Sequence, residues 1–242
     1  MRIALADLLF SMPPHGGADT DLFHVASGLQ ALGHEVRLFA AYSSAVWERG
    51  DFEPAALPFP ATRLDFDILS LPETTGRFRR AIDAWRPDAV FVCDAFLLKP
   101  DLILALAHYP VAARFYAWEC VCLRDIFRFR EGAPCPHAYP RTPDICRRCA
   151  LAYHAPEIRK GGMNAWLEEF HAARAWEAEW HEKLCHALGA ARLTIVSNSA
   201  MKAEIAGQAD SVHVVPGGVD PERFPPAPEP PDAPGGKHII LM

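Results

Sequence analysis

Short apolar segments alternate with amphipathic ones along most of the chain. Residues 3–9 form a short apolar run that predicts a buried strand. A turn-rich stretch follows, after which Asp19 or Thr20 can cap a helix that runs to about Leu32. A second strand is predicted over residues 34–40. This is a βαβ unit, which is typical of parallel strands joined by a right-handed crossover.

The remainder of the chain repeats this alternation. Further helices are predicted at 76–85, 101–107 and 162–188, and further strands at 88–93, 111–116, 193–196 and 212–215. Six or seven short strands between helices predict an α/β protein with a Rossmann-like, open, mostly parallel sheet flanked by helices. Residues 120–154 interrupt the pattern, and we expect them to form a Cys-rich irregular insertion.

The end of the chain has a different composition. Residues 225–236 hold six prolines, which predicts a stiff, extended linker. Residues 237–242 are apolar again and are typical of the first strand of another domain. We therefore expect a main domain over residues 1–224, a linker, and the truncated first strand of a donor-binding domain.

Charge and composition exclude several classes of protein. The chain has 24 Lys and Arg against 30 Asp and Glu, for a net charge of −6, so we expect no nucleic-acid partner. Half of the residues are hydrophobic, which is too apolar for a disordered chain. No run approaches the ~20 apolar residues of a membrane span, and the N-terminus lacks a signal-peptide pattern. We expect a cytoplasmic protein with no integral membrane segment.

Cysteines are concentrated in the insertion, which holds five of the seven. In the cytoplasm thiols stay reduced, so a disulfide framework is not the first expectation. Cys146 and Cys149 form a C-x2-C pair, and Cys135 with Cys120 or Cys122 would complete four ligands around a tetrahedral zinc ion. We predict a structural zinc held by Cys122, Cys135, Cys146 and Cys149. Disulfides and free thiols remain open alternatives.

Candidate ligand-binding residues follow the strands, because ligands of open α/β sheets bind at the carboxyl ends of strands. Asp94 follows the strand at 88–93, and Trp118 and Glu119 follow the strand at 111–116. A carboxylate at the position of Glu119 can act as a general base. Three polar residues follow the strand at 193–196, where they line the cleft or cap the next helix: Ser197, Asn198 and Lys202.

The turn after the first strand contains Gly16 and Gly17. Glycine has no Cβ, so the backbone can bend sharply and a ligand can approach it closely. Free N–H groups at the start of the following helix favour an anion such as a phosphate. The alternative is a plain tight turn between strand and helix.

Three stretches together resemble the family 4 glycosyltransferases of the GT-B type. The first combines Pro-His-Gly-Gly at 14–17 with Gly-His-Glu-Val at 33–36, separated by a helix that ends in Leu. The second is Ala-Arg-Leu-Thr-Ile-Val-Ser-Asn-Ser at 191–199. The third is Val-His-Val-Val-Pro-Gly-Gly-Val-Asp at 212–220, where the family usually has Asn at the position of Gly217.

The resemblance implies two Rossmann-like domains with a cleft between them, the first for the acceptor and the second for the sugar nucleotide. The chain would then be the N-terminal, acceptor-binding domain of a retaining glycosyltransferase that moves a hexose from a sugar nucleotide to an unknown acceptor. Many members carry a His where this chain has Trp118 and Glu119. Trp118 would stack on a sugar, Glu119 and Asp94 would be the catalytic carboxylates, and Gly16 and Gly17 would contact substrate.

This interpretation has a consequence that its alternative does not share. If the donor-binding domain is missing, the chain alone is inactive, because groups that stabilise the leaving diphosphate belong to that domain. The alternative is a non-catalytic, Rossmann-like binding module with a structural zinc loop.

Overall fold

A single parallel sheet forms the centre of the protein. The computed structural model describes residues 1–42, 50–67, 70–95, 98–125, 127–160 and 174–218. The sheet has the strand order β3-β2-β1-β4-β5-β8-β9, and each neighbouring pair is parallel. Its strands are β1 (Arg2–Asp7), β2 (Glu35–Tyr42), β3 (Ala61–Asp65), β4 (Ala89–Val92), β5 (Val111–Phe115), β8 (Leu193–Val196) and β9 (Val212–Val214). The predicted open parallel sheet is confirmed, with β3 as a strand that the sequence pattern missed.

Helices flank the sheet, as predicted. They are α1 (Gly17–Ala31), α2 (Leu71–Trp85), α3 (Lys99–Ala105), α4 (Pro143–Ile158), α5 (Trp180–Ala190) and α6 (Ser199–Ile205). Helix α2 shows how they pack, because its buried residues Thr74, Phe78, Ile82 and Trp85 recur at helical spacing along one face. It ends at Arg86, whose left-handed backbone precedes a proline.

The core lies on both faces of the sheet, which explains the nearly continuous apolar strands. In β1, Ala4 and Ala6 pack into one buried cluster while Leu5 packs into the other. In β2, Phe39 belongs to the first cluster and Leu38 to the second. Successive side chains of a strand point to opposite faces, so a strand covered on both sides must be apolar throughout.

The insertion is more regular than its sequence predicts. Residues 120–154 were expected to be irregular, but they contain a two-stranded antiparallel hairpin, β6 (Phe129–Arg130) and β7 (Ala133–Pro134), and most of α4. Helix α4 has weak amphipathic periodicity, since arginines, alanines and cysteines fill much of it, and it includes Pro156. The pattern of apolar residues therefore gave little sign of it.

The helix predicted over residues 162–188 is interrupted at residues 174–179 and confirmed over residues 180–188. Helix α5 begins only at Trp180, and residues 174–179 form turns. Arg174 has a left-handed backbone (φ 50°). Its buried guanidinium forms ion pairs with the carboxylates of Glu177 and Asp101, and the N–O distance to Asp101 is 3.0 Å. Ala175, within this break, and Trp180, at the start of α5, are buried in the same core cluster. Residues 161–173 lie outside the described residues.

The predicted linker (225–236) and the strand at 237–242 also lie outside the described residues, so the domain boundaries remain a prediction. Among the helices that are described, none is both long enough and apolar enough to cross a membrane.

Candidate active site

The sheet has a switch in strand order between β1 and β4. The chain leaves β1 for β2 and β3 on one side and returns to β4, β5, β8 and β9 on the other. Crevices outside the carboxyl ends of strands at such a switch are the usual ligand sites of open α/β sheets. Asp7 ends β1 here, and Asp94 lies just beyond β4.

Hydrogen bonds join these two strand ends. The Asp7 carboxylate accepts a bond from the backbone N–H of Asp94 at 2.9 Å and another from that of Leu9 at 3.2 Å. The N–H of Leu8 donates in turn to the carbonyl of Asp94 at 2.8 Å. Asp7 is only 3% exposed, so it holds the two loops together from beneath the site.

Asp19, in the first turn of α1, organises the loop that contains the glycine turn. Its carboxylate accepts N–H bonds from Ser11 at 3.1 Å, His15 at 2.9 Å and Gly16 at 3.2 Å. The anion that this turn binds in the structure is therefore the chain's own carboxylate. Neither Gly16 nor Gly17 would place a Cβ within 4 Å of another atom. The space beside both glycines is open to a ligand, and their role in phosphate binding remains a prediction.

A cavity of about 190 Å³ opens between the glycine turn and the end of β4. Its lining residues come from these two loops and the start of α1: Leu9, Ser11, His15, Gly16, Ala18, Asp19 and Asp94. Complete small-molecule pockets typically measure roughly 300–1,000 Å³. The cavity accommodates part of a ligand, and the described residues that line it include no lysine or arginine.

Carboxylates give this edge of the sheet a negative character. Burial, and then the charges of Asp94 and Asp19, raise the pKa of the Asp7 carboxyl well above its usual 3.8. Burial and the charge of Asp94 also raise the pKa of Glu119, although Lys99 opposes this effect. The two predicted catalytic carboxylates, Asp94 and Glu119, thus lie within electrostatic range of each other, as the strand ends predicted.

Glu119 is held by a buried lysine that sequence reasoning missed. The ammonium of Lys99, the first residue of α3, donates to the Glu119 carboxylate at 2.6 Å and to the backbone carbonyl of Arg114 at 2.6 Å. The Lys99 side chain is 1% exposed and that of Glu119 is 12% exposed. The sequence feature that could have revealed this lysine is its position within an apolar segment just after a strand, but nothing in the sequence identified its partner.

A second buried ion pair connects β5 to α1. The Arg114 guanidinium contacts the Asp21 carboxylate at 2.9 Å and lies 5.2 Å from the ring centre of Tyr116. The Tyr116 hydroxyl is buried and has no hydrogen-bond partner among the described residues. Burial raises the pKa of this tyrosine, and the nearby charges of Cys93, Asp21 and Asp7 add to the effect. Such an unsatisfied group is a candidate hydrogen-bond partner for a ligand.

The other predicted substrate-binding residues lie at the same edge of the sheet but in different surroundings. Trp118 is partly buried, and the guanidinium of Arg128 lies over its ring, 4.9 Å from the centre. Asn198 caps α6 by accepting the Met201 N–H at 2.8 Å, which is the alternative role considered for it, and it also donates to Ser197 at 3.2 Å. Lys202 is exposed on α6. The cavity beside Asp94 does not include these residues.

All seven cysteines are free thiols. Cys93 and Cys120 are buried, and the remaining five are partly exposed, including the predicted zinc ligands Cys122, Cys135, Cys146 and Cys149. In the part of the chain that the structure describes, no three His, Cys, Asp or Glu side chains are placed closely enough to hold a metal as they stand.

The family comparison covers most of the chain. The family described as Glycosyltransferase Family 4 matches residues 15–223. The chain belongs to this family. The matched residues include the glycine turn and the carboxyl ends of β4, β5 and β8. The recognition of family 4 from three short motifs is confirmed, together with the Rossmann-like class of the domain.

Two solved structures that are similar to the family 4 chain have low sequence identity to it. Apo UGT2 from Phytolacca americana aligns with a TM-score of 0.47 and 10% identity, over 88% of this chain and 51% of that one. MurG from Acinetobacter baumannii aligns with a TM-score of 0.39 and 15% identity, over 89% of this chain and 78% of that one. The family 4 chain therefore spans about half the length of UGT2. No curated protein matches it.

Proposed function

We propose that this chain forms the acceptor-binding side of a retaining glycosyltransferase, which moves a hexose from a sugar nucleotide to a hydroxyl-bearing acceptor. One observation carries the proposal: Asp7, Asp94 and the open glycine turn converge at the switch in strand order. Family membership supports glycosyl transfer, and the sugar nucleotide, the hexose and retention follow from the family resemblance.

The charge of the site favours an acceptor over a diphosphate. Carboxylates accept hydrogen bonds from sugar hydroxyls, and Asp19 and Asp94 both line the cavity. The negative charges of a donor diphosphate would be repelled by the same carboxylates, with no lysine or arginine in the lining to offset them. The small cavity volume is also consistent with one wall of a larger cleft.

The residues of this edge would then have distinct roles. Asp94 accepts a hydrogen bond from the acceptor hydroxyl beside the glycine turn. Glu119, held in place by Lys99, orients the acceptor or takes up its proton. Gly16 and Gly17 let the ligand approach the backbone, and Trp118 offers an apolar edge to a sugar ring. Groups that stabilise the leaving diphosphate lie outside these residues, so we expect residues 1–242 alone to catalyse no transfer.

The test is a transfer assay on the complete natural gene product. The enzyme is incubated with radiolabelled UDP-glucose, UDP-galactose or GDP-mannose and a panel of hydroxylated acceptors. We expect label to pass to an acceptor, with the anomeric configuration retained in the product as measured by NMR. Inversion would contradict the retaining mechanism. Saturable ligand binding without turnover of any donor would favour the non-catalytic binding module.

Two variants then test the roles of the carboxylates. Asp94→Asn and Glu119→Gln should lower kcat/KM for the acceptor by roughly 10²-fold or more, with the KM for the donor unchanged. The matched controls are Asp210→Asn and Glu35→Gln, which change exposed residues at the opposite edge of the sheet, before β9 and at the start of β2. Equal activity of the site variants and the controls would contradict the proposal.

A further inference from the structure

Four cysteines of the insertion lie on three separate segments of the chain. Cys122 follows the turn at Trp118–Cys120, and its N–H donates to the Trp118 carbonyl at 2.7 Å. Cys135 follows β7, and its N–H closes the hairpin onto the Arg128 carbonyl at 2.9 Å. Cys146 and Cys149 lie near the start of α4, three residues apart. Residues at this spacing share one face of a helix.

These four thiols influence one another electrostatically. Burial raises the pKa of Cys146, and the charges of Cys122, Cys135 and Cys149 raise it further. Burial also raises the pKa of Cys122, with a contribution from Cys135. The N–H of Tyr139 donates to the Val121 carbonyl at 2.8 Å, and the Thr142 hydroxyl contacts the Cys146 thiol at 3.7 Å. These contacts place the turn that carries Cys122 against the segment that leads into α4.

The structure also decides between Cys120 and Cys122 as the fourth thiol. Cys120 is 2% exposed and packs in the main core cluster. The charged groups that affect its thiol are Glu119 and Lys99 of the candidate active site. Cys122 is partly exposed, and its charge contributes to the raised pKa of the Cys146 thiol.

We propose that Cys122, Cys135, Cys146 and Cys149 bind one zinc ion as a structural, tetrathiolate site. Helix α4 supplies two thiols through its C-x2-C pair, the preceding turn and hairpin supply one each, and four thiolates complete the tetrahedral coordination of zinc. No position is left for water or substrate, so the site is structural. The thiols must draw closer than they stand, which is usual where a metal site and its local fold form together.

The exposed phenylalanines near the hairpin indicate that this segment needs a metal or a cross-link for stability. Phe127 and Phe129 are 72% and 52% exposed, so this segment buries little apolar surface of its own. A short segment that cannot build a core gains its stability from a metal or a cross-link. Zinc would supply that stability by joining the hairpin to α4.

The zinc site would also stabilise residues beside the candidate active site. Arg128, at the base of the hairpin, lies over Trp118 and pairs with Glu204 of α6 at 2.7 Å. Zinc would therefore hold Trp118 and α6 in place beside Glu119. This consequence rests on the proposed function, whereas zinc binding itself does not.

The first experiment measures zinc by elemental analysis of the purified chain after dialysis against zinc and then buffer. We expect about one zinc per chain, lost in Cys122→Ser, Cys135→Ser, Cys146→Ser and Cys149→Ser. Cys185→Ser is the matched control, because this partly exposed cysteine of α5 lies outside the insertion, and it should keep its zinc. Less than about one tenth of an equivalent in the unmodified chain would overturn the proposal.

A second experiment needs no substitution, so it remains decisive if a cysteine variant fails to fold. The zinc is replaced by Co²⁺, and the visible spectrum is recorded. The expected result is the intense ligand-field absorption of tetrahedral cobalt with thiolate-to-metal charge transfer from four sulfurs. An octahedral spectrum, or the charge transfer of fewer than four thiolates, would overturn the proposal. Neither result depends on transfer activity, so failure of the zinc site and failure of the proposed function are distinguishable.

Discussion

The buried ammonium of Lys99 lies between the Glu119 carboxylate and the Arg114 carbonyl, with almost no access to water. A charge in this position is tolerated only because both partners are at hydrogen-bond distance. The carboxylate is also buried, so each group neutralises the desolvation cost of the other. This pair gives the candidate active site a fixed acidic residue on a rigid support.

Removal of the lysine should therefore destabilise the fold. We expect Lys99→Met to lower the free energy of unfolding by about 3–5 kcal/mol, because Glu119 is left buried without its partner. Urea denaturation measures the change. Lys202→Met, at an exposed position, should cost less than about 0.5 kcal/mol. The double variant Lys99→Met/Glu119→Gln should recover part of the loss, and a cost for Lys99→Met no larger than that of the control would contradict the role assigned to the pair.

Asp7 makes stability depend on pH with an unusual sign. Its carboxyl has a raised pKa in the folded chain, so the folded state takes up the proton before the unfolded state does as pH falls. The free energy of unfolding of the wild type, relative to Asp7→Asn, should therefore increase as pH falls from neutral through the raised pKa toward 3.8, and level off below it. Urea denaturation at a series of pH values checks this. If this difference in unfolding free energy stays constant or decreases as pH falls over the same range, the pKa of Asp7 is not raised in the folded state.

At the scale of elements, most strands of the parallel sheet and the glycine turn could be predicted from sequence because their signals are local. A run such as 3–9 is apolar on both faces, and Gly16 and Gly17 mark the turn directly. Helix α4 and the break at residues 174–179 could not be predicted this way. Helix α4 lacks the regular apolar spacing by which an amphipathic helix is recognised. The break depends on a contact distant in sequence, the ion pair of Arg174 with Asp101. The Lys99–Glu119 pair escaped prediction for the same reason.

The loop after β2 packs against the candidate active site through a glycine. Gly50 has φ +76°, and a Cβ there would lie 2.4 Å from the Ala41 carbonyl oxygen. Gly132, in the hairpin, has a similar φ of +79° but open space around it, which makes it a matched control. The N–H of Met12 also donates to the Asp51 carbonyl at 2.9 Å, so this loop supports the one that carries the glycine turn.

The two glycines should therefore respond differently to alanine. We expect Gly132→Ala to lower the free energy of unfolding by about 1–2 kcal/mol, because a residue with a Cβ is disfavoured in a left-handed backbone conformation. Gly50→Ala should cost about 1–3 kcal/mol more, because the backbone must also move away from the added methyl group. Thermal or urea denaturation of both variants gives the difference. Equal costs would mean that the close approach of Gly50 to β2 does not constrain the loop.

At the scale of the whole molecule, the parallel sheet places the ends of β1, β4, β5 and β8 along one edge. Residues far apart in the sequence, such as Gly16, Asp94, Glu119 and Ser197, thus share that edge even though their side chains have different surroundings. Topology alone predicts this convergence, since all strands run in the same direction. Which of these side chains meet in one cavity depends on loop packing, and only Gly16 and Asp94 line the one beside the glycine turn.

The central claim is that this edge binds the acceptor and disfavours the donor diphosphate. Calorimetric titration of the 242-residue chain with UDP-glucose tests it most directly. We predict a dissociation constant weaker than about 1 mM, because the part of the cavity lining that the structure describes is acidic and contains no lysine or arginine. Asp94→Asn should bind UDP-glucose no more weakly than the wild type, since it removes a repulsive charge. Binding by the wild type with a dissociation constant of about 1 μM, lost in Asp94→Asn, would contradict the claim.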